Sequence, residues 1–285
     1  MDLKFSKLAM FYRIKICLTA ALVTAAISCG MLPHINADQY AGKQWPAAQL
    51  LSIDRVNHQP FDGLLRKYVD ADGMVNYKAW HASAADRAIL KNYLEMLSCA
   101  DATVPAAREA QLAFWINTYN ALTIEGILRV YPTTSIRKHT AKLLGYNIWK
   151  KLHLQIGNQK VTLHQVEHEI LRPMGEPRVH FAIVCASIGC PRLLNEAYVP
   201  HRLEEQLQIN TFDFFSRSQN LKVDGQGNLH LSKILEWFGS DFGASSQAQI
   251  QALQPYFPQP AQALVASGQY SIKYQEYDWN LNAQR

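Results

Sequence analysis

The segment 178–191 constrains this chain most, because it sets an apolar run directly before a cysteine and a turn. Residues 179–184 are apolar apart from His180, and Cys185 follows at once. The glycine and proline that come next, ending at Pro191, stop any regular strand. A run of this length and composition is typical of a buried strand. We therefore predict a buried strand at about 179–184 that delivers the thiol of Cys185 at its carboxyl end, where many α/β folds place their chemistry.

Both helical and strand patterns flank this segment. Apolar residues recur at helical spacing in segments 61–69, 84–97, 105–130, 165–171, 201–216, 232–238, 247–256 and 259–266. Alternating runs around glycine-containing turns predict hairpins at 152–163 and 221–231, and 270–274 reads as a closing strand. The simplest interpretation is one α+β domain over residues 61–282. It has helices packed around a small central sheet, and a lead-in segment at 38–60 precedes it.

Residues 1–37 have the pattern of a secretory signal peptide. Four basic residues lie before position 16, and residues 16–27 are apolar or small and uncharged. That run is too short to span a bilayer comfortably. Cleavage after Ala37 is the first choice, and a lipoprotein-type site at Cys29 and an uncleaved anchor are the alternatives. We therefore expect a periplasmic or secreted protein.

Removal of residues 1–37 changes both the charge and the cysteine count. The formal charge falls from +5 to about +2, because four bases and Asp2 are lost, and so small a charge gives no reason to expect a nucleic-acid partner. Membrane contact is expected only through the signal or a lipid anchor. Cys99, Cys185 and Cys190 remain. In an oxidising compartment two of them can pair, while the third is buried or reactive.

The predicted helix 105–130 carries two amides on one face. Asn117 and Asn120 are three residues apart, a spacing that brings side chains together on a helix. Asparagine is a poor helix former, so we expect both amides to make compensating hydrogen bonds. In one interpretation they bond neighbouring backbone and hold loops in place. In the other they take a direct part in a site.

Several motifs resemble a known family. They are residues 114–122 (Phe-Trp-Ile-Asn-Thr-Tyr-Asn-Ala-Leu), 163–172, 180–191, 237–242 (Trp-Phe-Gly-Ser-Asp-Phe) and 277–282 (Tyr-Asp-Trp-Asn-Leu-Asn). In this order they are similar to the domain of unknown function numbered five-four-seven, from about residue 61 to residue 282. The family has no agreed activity. Some eukaryotic relatives carry the domain beside glutaredoxin-like or coiled-coil segments, so the resemblance implies either thiol chemistry or scaffolding.

The leading functional hypothesis is a thiol nucleophile at the end of the predicted strand. Cys185 is then the thiolate and His168 or His180 is its base. Asn117 or Asn120 orients the histidine or binds an oxyanion. This arrangement predicts a cysteine-dependent hydrolase or acyl transferase that acts on a small-molecule or peptide substrate and uses no cofactor.

Regular geometry bears on the choice of base. Residues five apart on a strand point to opposite faces, which separates His180 from Cys185 unless the strand bulges. His168 lies on the preceding helix and is free to reach over the strand end. Glu167 is expected to point elsewhere, because adjacent residues do not share a face of an α-helix.

Other interpretations stay open. Cys185 and Cys190 form a redox or structural pair if the turn between them brings the sulfurs together. With His168 and His180 they also offer the ligand types of a zinc site, without the short paired spacing that such sites usually have. Cys185 can instead be an ordinary buried residue, in which case the protein is a non-catalytic binding or scaffold domain.

Overall fold

The longest helix among the described residues lies at the centre of their fold. In the computed structural model, which describes residues 38–141 and 146–285, this helix spans Arg108–Val130, and every residue from Leu112 to Leu128 is buried. A helix buried on all sides is one around which the other elements pack. The predicted signal peptide, with its alternative processing sites at Ala37 and Cys29, lies outside the described residues.

The other elements follow in chain order. The α-helices are α1 (Gln59–Tyr68), α2 (Tyr77–Ala82), α3 (Ala84–Leu97), α4 (Arg108–Val130), α5 (Ile148–Lys151), α6 (Leu163–Gln165), α7 (Leu203–Ser216), α8 (Lys233–Trp237), α9 (Ser246–Leu253) and α10 (Gln259–Ala266). The strands are β1 (Gln39–Ala41), β2 (Leu51–Ser52), β3 (Ala100–Asp101), β4 (Leu152–Ile156), β5 (Gln159–Thr162), β6 (Leu221–Val223), β7 (Asn228–Leu231) and β8 (Ser271–Tyr274). Within residues 38–141 and 146–285, no helix combines the length and apolar character needed to cross a membrane.

The strands are divided among small sheets. β4 lies between β1 and β5, β2 pairs with β3, and β7 lies between β6 and β8. Both predicted hairpins form, as β4–β5 and β6–β7. Residues 38–60, expected to be a lead-in, supply β1 and β2. The predicted α+β class is confirmed, but a helix rather than a sheet occupies the centre.

The segment 179–184 is buried but is not a strand, so that part of the prediction was wrong. A 3₁₀-helix spans Pro177–Phe181, and a turn and irregular backbone follow it to residue 185. Proline fixes its own backbone angle and is well suited to begin a helical turn. An apolar run indicates burial, but it does not by itself separate a strand from another buried conformation.

Side-chain amides supply the hydrogen bonds that a neighbouring strand would otherwise make. Asn120 on α4 donates to the carbonyl of Ala182 at 3.0 Å and accepts from the N–H of Val184 at 2.9 Å. Asn210 on α7 donates to the carbonyl of Phe181 at 3.1 Å. Buried backbone groups need such partners, so these amides allow irregular backbone to cross the core.

This irregular segment passes between two hydrophobic clusters. The larger cluster surrounds α4, and the smaller one joins Phe181 to α7 and the β6–β7–β8 sheet. Tyr277, close to the C-terminus, packs against both clusters. A cavity opens beside this tyrosine, at the junction of the clusters.

Candidate functional site

The cavity at this junction has a volume of about 270 Å³, just below the range of roughly 300–1,000 Å³ common for small-molecule sites. Its lining includes Tyr119, Trp149, Lys150, His164, Glu167, His168, His180, Cys185, Cys190, Trp237, Phe238, Tyr277 and Trp279. Three residues proposed from the sequence, His168, His180 and Cys185, thus share one cavity. The other two, Asn117 and Asn120, are not among the described residues that line it.

Two cysteines meet in this cavity around one tyrosine hydroxyl. The hydroxyl of Tyr277 lies 3.2 Å from Sγ of Cys185 and 3.0 Å from Sγ of Cys190. The backbone N–H of Cys185 also donates to Sγ of Cys190 at 3.0 Å. Neither cysteine is in a disulfide bond. Cys185 is partly exposed and Cys190 is buried. The turn therefore brings the two sulfurs together, as the paired-cysteine interpretation requires.

Hydrogen bonding makes the two thiols unequal. The thiol of Cys190 lowers the pKa of Cys185 by donating to its sulfur, and the hydroxyls of Tyr277 and Ser187 add to this effect against the opposing effect of burial. Burial raises the pKa of Cys190 well above its ordinary value. A thiolate is the reactive form of cysteine. Of the two thiols, the partly exposed Cys185 is therefore the one that more readily forms the reactive thiolate, whereas Cys190 is the one that keeps its proton.

The turn between the cysteines depends on an uncommon backbone conformation. Ala186 has a φ of 60°, in the left-handed region that residues with a side chain seldom adopt. Its carbonyl accepts from the N–H of Asn282 at 3.2 Å. Gly189 donates to the carbonyl of Asp278 at 2.8 Å, and a Cβ on this glycine would lie 2.9 Å from the ring of Tyr277. Contacts with the C-terminal residues therefore hold the turn in place.

The C-terminal residues complete the site, although the sequence pattern assigns them no role in it. Tyr277 and Trp279 stand out in the sequence only as part of the motif 277–282. Tyr277 lies 87 residues beyond Cys190 in the chain, and hydrophobic periodicity carries no information about contacts at that separation. A motif rich in aromatic and polar residues at the end of the chain was the available signal.

Glu167 also lines the cavity, contrary to the expectation that it points away from His168. Residues Val166–Leu171 form a π-helix, in which i→i+5 bonding widens the turn and changes which side chains share a face. The hydroxyl of Tyr119 donates to Oε2 of Glu167 at 3.1 Å. Single π-turns occur frequently at functional sites, but residue types alone do not reveal them.

Burial gives Glu167 an unusual acidity. The pKa of its carboxyl rises from 4.5 to about 7, because the cost of burying the charge exceeds the stabilisation by Tyr119 and Arg172. A carboxyl that titrates near neutral pH can both accept and return a proton under physiological conditions. Glu167 is therefore the residue of this cavity best suited to general acid–base chemistry.

This shift predicts that replacing Glu167 changes how stability depends on pH. Between the unfolded pKa of 4.5 and the folded pKa of about 7, the native state keeps a proton that the unfolded state releases. The free energy of unfolding therefore falls by about 3 kcal/mol as pH rises through this window. Glu167→Gln removes the titration, so urea unfolding should show the variant gaining about 3 kcal/mol relative to wild type between pH 4 and pH 8.

Glu169 provides the matched control for this measurement, since it is exposed on the same helical segment. Glu169→Gln should preserve the wild-type dependence of stability on pH. If Glu167→Gln and wild type lose stability in parallel between pH 4 and pH 8, the carboxyl of Glu167 does not titrate near neutral pH.

The two histidines belong to a network anchored by Asp241. Arg172 donates to the carboxylate of Asp241 at 2.7 and 2.8 Å and to Nδ1 of His168 at 3.1 Å. Nε2 of His180 lies 2.8 Å from the same carboxylate, and its ring stacks on Phe238 with 4.3 Å between centroids. Because Nδ1 of His168 accepts from Arg172, the single N–H hydrogen of the neutral His168 ring lies on Nε2.

Neither imidazole supports Cys185 directly. Burial lowers the pKa of His168 and of His180, which favours the neutral form of both rings. Among the described residues, the hydrogen bonds of Cys185 go to Cys190, Ser187 and Tyr277, and none goes to an imidazole. Hydrogen-bond donors rather than an imidazolium therefore stabilise the thiolate.

The two asparagines hold loops. Asn120 binds the backbone of residues 182 and 184, directly before Cys185. Asn117 donates to the carbonyl of Tyr198 at 2.8 Å and accepts from its N–H at 2.9 Å. This placement matches the interpretation in which buried amides bond neighbouring backbone. Asn120 thereby holds the backbone directly before Cys185 without lining the cavity.

The zinc interpretation finds no ligand set in the described part of the chain. Within residues 38–141 and 146–285, no group of three or more histidine, cysteine, aspartate or glutamate side chains is arranged to hold a metal ion. His180 and His168 instead direct a nitrogen to Asp241 and to Arg172, respectively.

Comparison with known proteins finds a family match over part of the chain. Residues 104–215 match the model of the family described as "Protein of unknown function, DUF547". The match includes Glu167, Cys185 and Cys190, whereas Asp241 and Tyr277 lie beyond it. No curated protein and no solved structure gives a significant match to the chain. The family match over residues 104–215 agrees with the resemblance that the motifs of the chain indicated.

Proposed function

We propose that this protein performs thiol–disulfide exchange through Cys185 and Cys190. The observation that supports it most is the position of both sulfurs around the hydroxyl of Tyr277, with Cys185 partly exposed and Cys190 buried. Exchange needs an accessible thiolate that attacks a disulfide and a second thiol that completes the reaction. The lowered pKa of Cys185 and the raised pKa of Cys190 support this division of the two tasks.

The reaction has two steps. The thiolate of Cys185 attacks one sulfur of a substrate disulfide, which forms a mixed disulfide and releases the other half as a thiolate that takes up a proton. The thiol of Cys190 then loses its proton and attacks Sγ of Cys185. This step forms the Cys185–Cys190 disulfide and releases the second half of the substrate as a thiol. A substrate dithiol re-reduces the pair by the reverse steps, so the redox poise of the surroundings sets the direction.

The hydroxyl of Tyr277 serves both steps. It has a single hydrogen and lies within 3.2 Å of each sulfur, so it can donate to Cys185 while that sulfur is the thiolate and turn to Cys190 when the charge moves there. The N–H of Cys185 already points at the sulfur of Cys190. The second thiolate therefore meets two donors in the position where it forms.

Glu167 is the group we assign to remove the proton of Cys190. Its carboxyl lines the same cavity and titrates at about 7, which leaves a useful fraction ionised at neutral pH. Cys190 needs such a base because its own pKa is raised. The hydrogen bond from Tyr119 fixes the carboxyl in place.

Product analysis tests the proposal. Reduced protein mixed with a peptide disulfide should yield two peptide thiols and a protein whose Cys185 and Cys190 peptides are joined, as resolved by mass spectrometry. Cys99 lies outside the cavity and is buried elsewhere, so Cys99→Ser should behave as wild type. Release of peptide thiols without the joined pair, or no release at all, would contradict the proposal.

Acyl transfer by Cys185 is the second candidate, and one observation favours it. His168 lines the same cavity with its Nε2 hydrogen free of the Arg172 contact, so it could donate to an oxyanion. The N–H of Cys185, a common donor in such sites, is instead directed at Cys190, and for this reason we rank the candidate second. An acyl-transfer enzyme should acylate Cys185 from a thioester even in the Cys190→Ser variant, whereas disulfide exchange should stop at the mixed disulfide in that variant.

We also propose that the protein acts outside the cytosol. The basic residues before position 16 and the apolar run at residues 16–27 support this proposal. Disulfide exchange suits an oxidising compartment. The N-terminal sequence of protein recovered from the periplasm or medium should begin at Asp38, after cleavage following Ala37. Recovery of cytosolic protein that retains Met1 would contradict this proposal, and a lipid-modified Cys29 would support the anchored alternative.

A further inference from the structure

Aromatic side chains form one wall of the cavity, beginning at the paired sulfurs. We define it by five lining residues, Trp149, Trp237, Phe238, Tyr277 and Trp279. The ring of Tyr277, whose hydroxyl contacts both sulfurs, lies with its centroid 5.0 Å from that of Trp237 and 4.4 Å from that of Trp279. The wall is therefore continuous from the reacting atoms outward.

Trp237 is the accessible end of this wall. It is 45% exposed, although its ring packs against two other wall residues. Solvent-exposed tryptophan beside a concave apolar surface is typical of a site that receives an apolar group. The guanidinium of Arg137 lies 5.0 Å from the ring of Trp279 and covers part of that ring, which leaves Trp237 as the more open surface.

The thiol step needs none of these rings except that of Tyr277. The described hydrogen bonds of the two sulfurs do not include Trp237, so the exchange chemistry itself gives this exposed tryptophan no role. The distance between these rings suits a polypeptide substrate. An extended chain advances about 3.3 Å per residue. Because the ring centroid of Trp237 lies 5.0 Å from that of Tyr277, a residue one or two positions from a substrate cysteine can reach Trp237.

Resting on the proposed function, we infer that the substrates are polypeptide cysteines with an aromatic or large aliphatic residue next to or two positions from them, as unfolded chains expose. The apolar side chain packs on Trp237 and Trp279 while the substrate disulfide lies at Cys185. Folded proteins bury such residues, so this site selects chains that have not yet folded.

Two matched peptides test the inference. Each carries one cysteine in a mixed disulfide with thionitrobenzoate, flanked by tryptophan or leucine in one peptide and by glycine and serine in the other. Release of the coloured thiol in the presence of dithiothreitol gives kcat/KM. We expect wild type to favour the apolar peptide by roughly tenfold to a hundredfold, the range expected for burying one large side chain.

Variants of Trp237 test whether this residue causes the preference for the apolar peptide. Trp237→Ala should bring the ratio of the two kcat/KM values close to one, and Trp237→Phe should keep most of it. Phe212 is the control, since it is an aromatic residue of equal exposure, 45%, on α7 and outside the cavity. Phe212→Ala should keep the wild-type ratio.

The outcomes separate this inference from the function on which it rests. If neither peptide nor glutathione disulfide reacts faster than with dithiothreitol alone, thiol–disulfide exchange fails, and the inference fails with it. If all three disulfides react but wild type treats the two peptides alike, or Trp237→Ala keeps the ratio, exchange stands and the inference is overturned.

Discussion

Cys185→Ser should lower the rate of disulfide exchange by at least about a thousandfold, because a hydroxyl is not ionised at neutral pH and cannot attack a disulfide. Cys190→Ser should give a different failure. Its Cys185 still attacks, since the serine hydroxyl can donate to the thiolate as the thiol did. The second step is lost, however, and the protein accumulates as a mixed disulfide with the substrate. Intact-protein mass spectrometry distinguishes the two results.

Comparing Cys185→Ser with Cys190→Ser tests the assigned roles more sharply than the loss of activity in either variant alone. If Cys190→Ser turns over disulfides like wild type, Cys190 does not resolve the intermediate and the pair is not a functional unit. If Cys185→Ser forms the mixed disulfide, the buried thiol is the nucleophile and the assigned order of steps is wrong. Cys99→Ser serves again as the control for a cysteine outside the cavity.

Asn120→Ala should lower the free energy of unfolding by about 2–5 kcal/mol, because it leaves two buried backbone groups without partners and a small void. Those groups are the carbonyl of Ala182 and the N–H of Val184. They lie directly before Cys185, so the thiol should also move. We expect the exchange rate of the folded variant to fall about tenfold to a hundredfold, the effect of a misplacement near 1 Å.

Asn117→Ala is the control that separates positioning from stability. This residue makes the same kind of paired backbone contact, but to Tyr198. Urea unfolding should show a comparable loss of stability in both variants. At a temperature where both are folded, Asn120→Ala should be slow and Asn117→Ala should retain its exchange rate. Equal activity in the two variants would show that Asn120 does not position the nucleophile.

The regular elements could be predicted from the sequence because their signals are local. α3 has the predicted bounds, Ala84–Leu97, since its apolar periodicity is strong and Ser83 caps it by accepting from the N–H of Asp86. The hairpin β4–β5 forms around Gly157, whose φ of 52° suits the turn. Period and turn residues lie within a few positions of each other in these elements, and long-range contacts do not change them.

The segment 179–184 could not be predicted in the same way, because its conformation depends on partners elsewhere in the chain. Its backbone bonds to side chains of Asn120 and Asn210. The amides on the central helix were identified as needing partners, but the sequence did not say which backbone they would bind. A buried apolar run with amide partners and one with strand partners have the same residue pattern.

The residues of the candidate site also fall into two groups: those that local sequence signals could identify and those that only long-range contacts bring to the site. Cys185, His168 and His180 could be proposed from residue type and clustering. Glu167 was set aside because an α-helix separates adjacent residues, and the π-helix Val166–Leu171 removes that separation. Tyr277 could not be placed near the sulfurs because only the folded chain brings the C-terminus to them.

The measurement that tests the central claim most directly is alkylation of the native protein at graded pH, with and without oxidised glutathione, read by mass spectrometry at each cysteine. Without oxidant, Cys185 should alkylate at the lowest pH, because hydrogen bonds lower its pKa while burial raises those of Cys99 and Cys190. With oxidised glutathione, Cys185 and Cys190 should lose reactivity together and their peptides should be joined. If Cys185 reacts only after unfolding, or if oxidation leaves the two peptides separate, Cys185 and Cys190 are not an exchange-active pair.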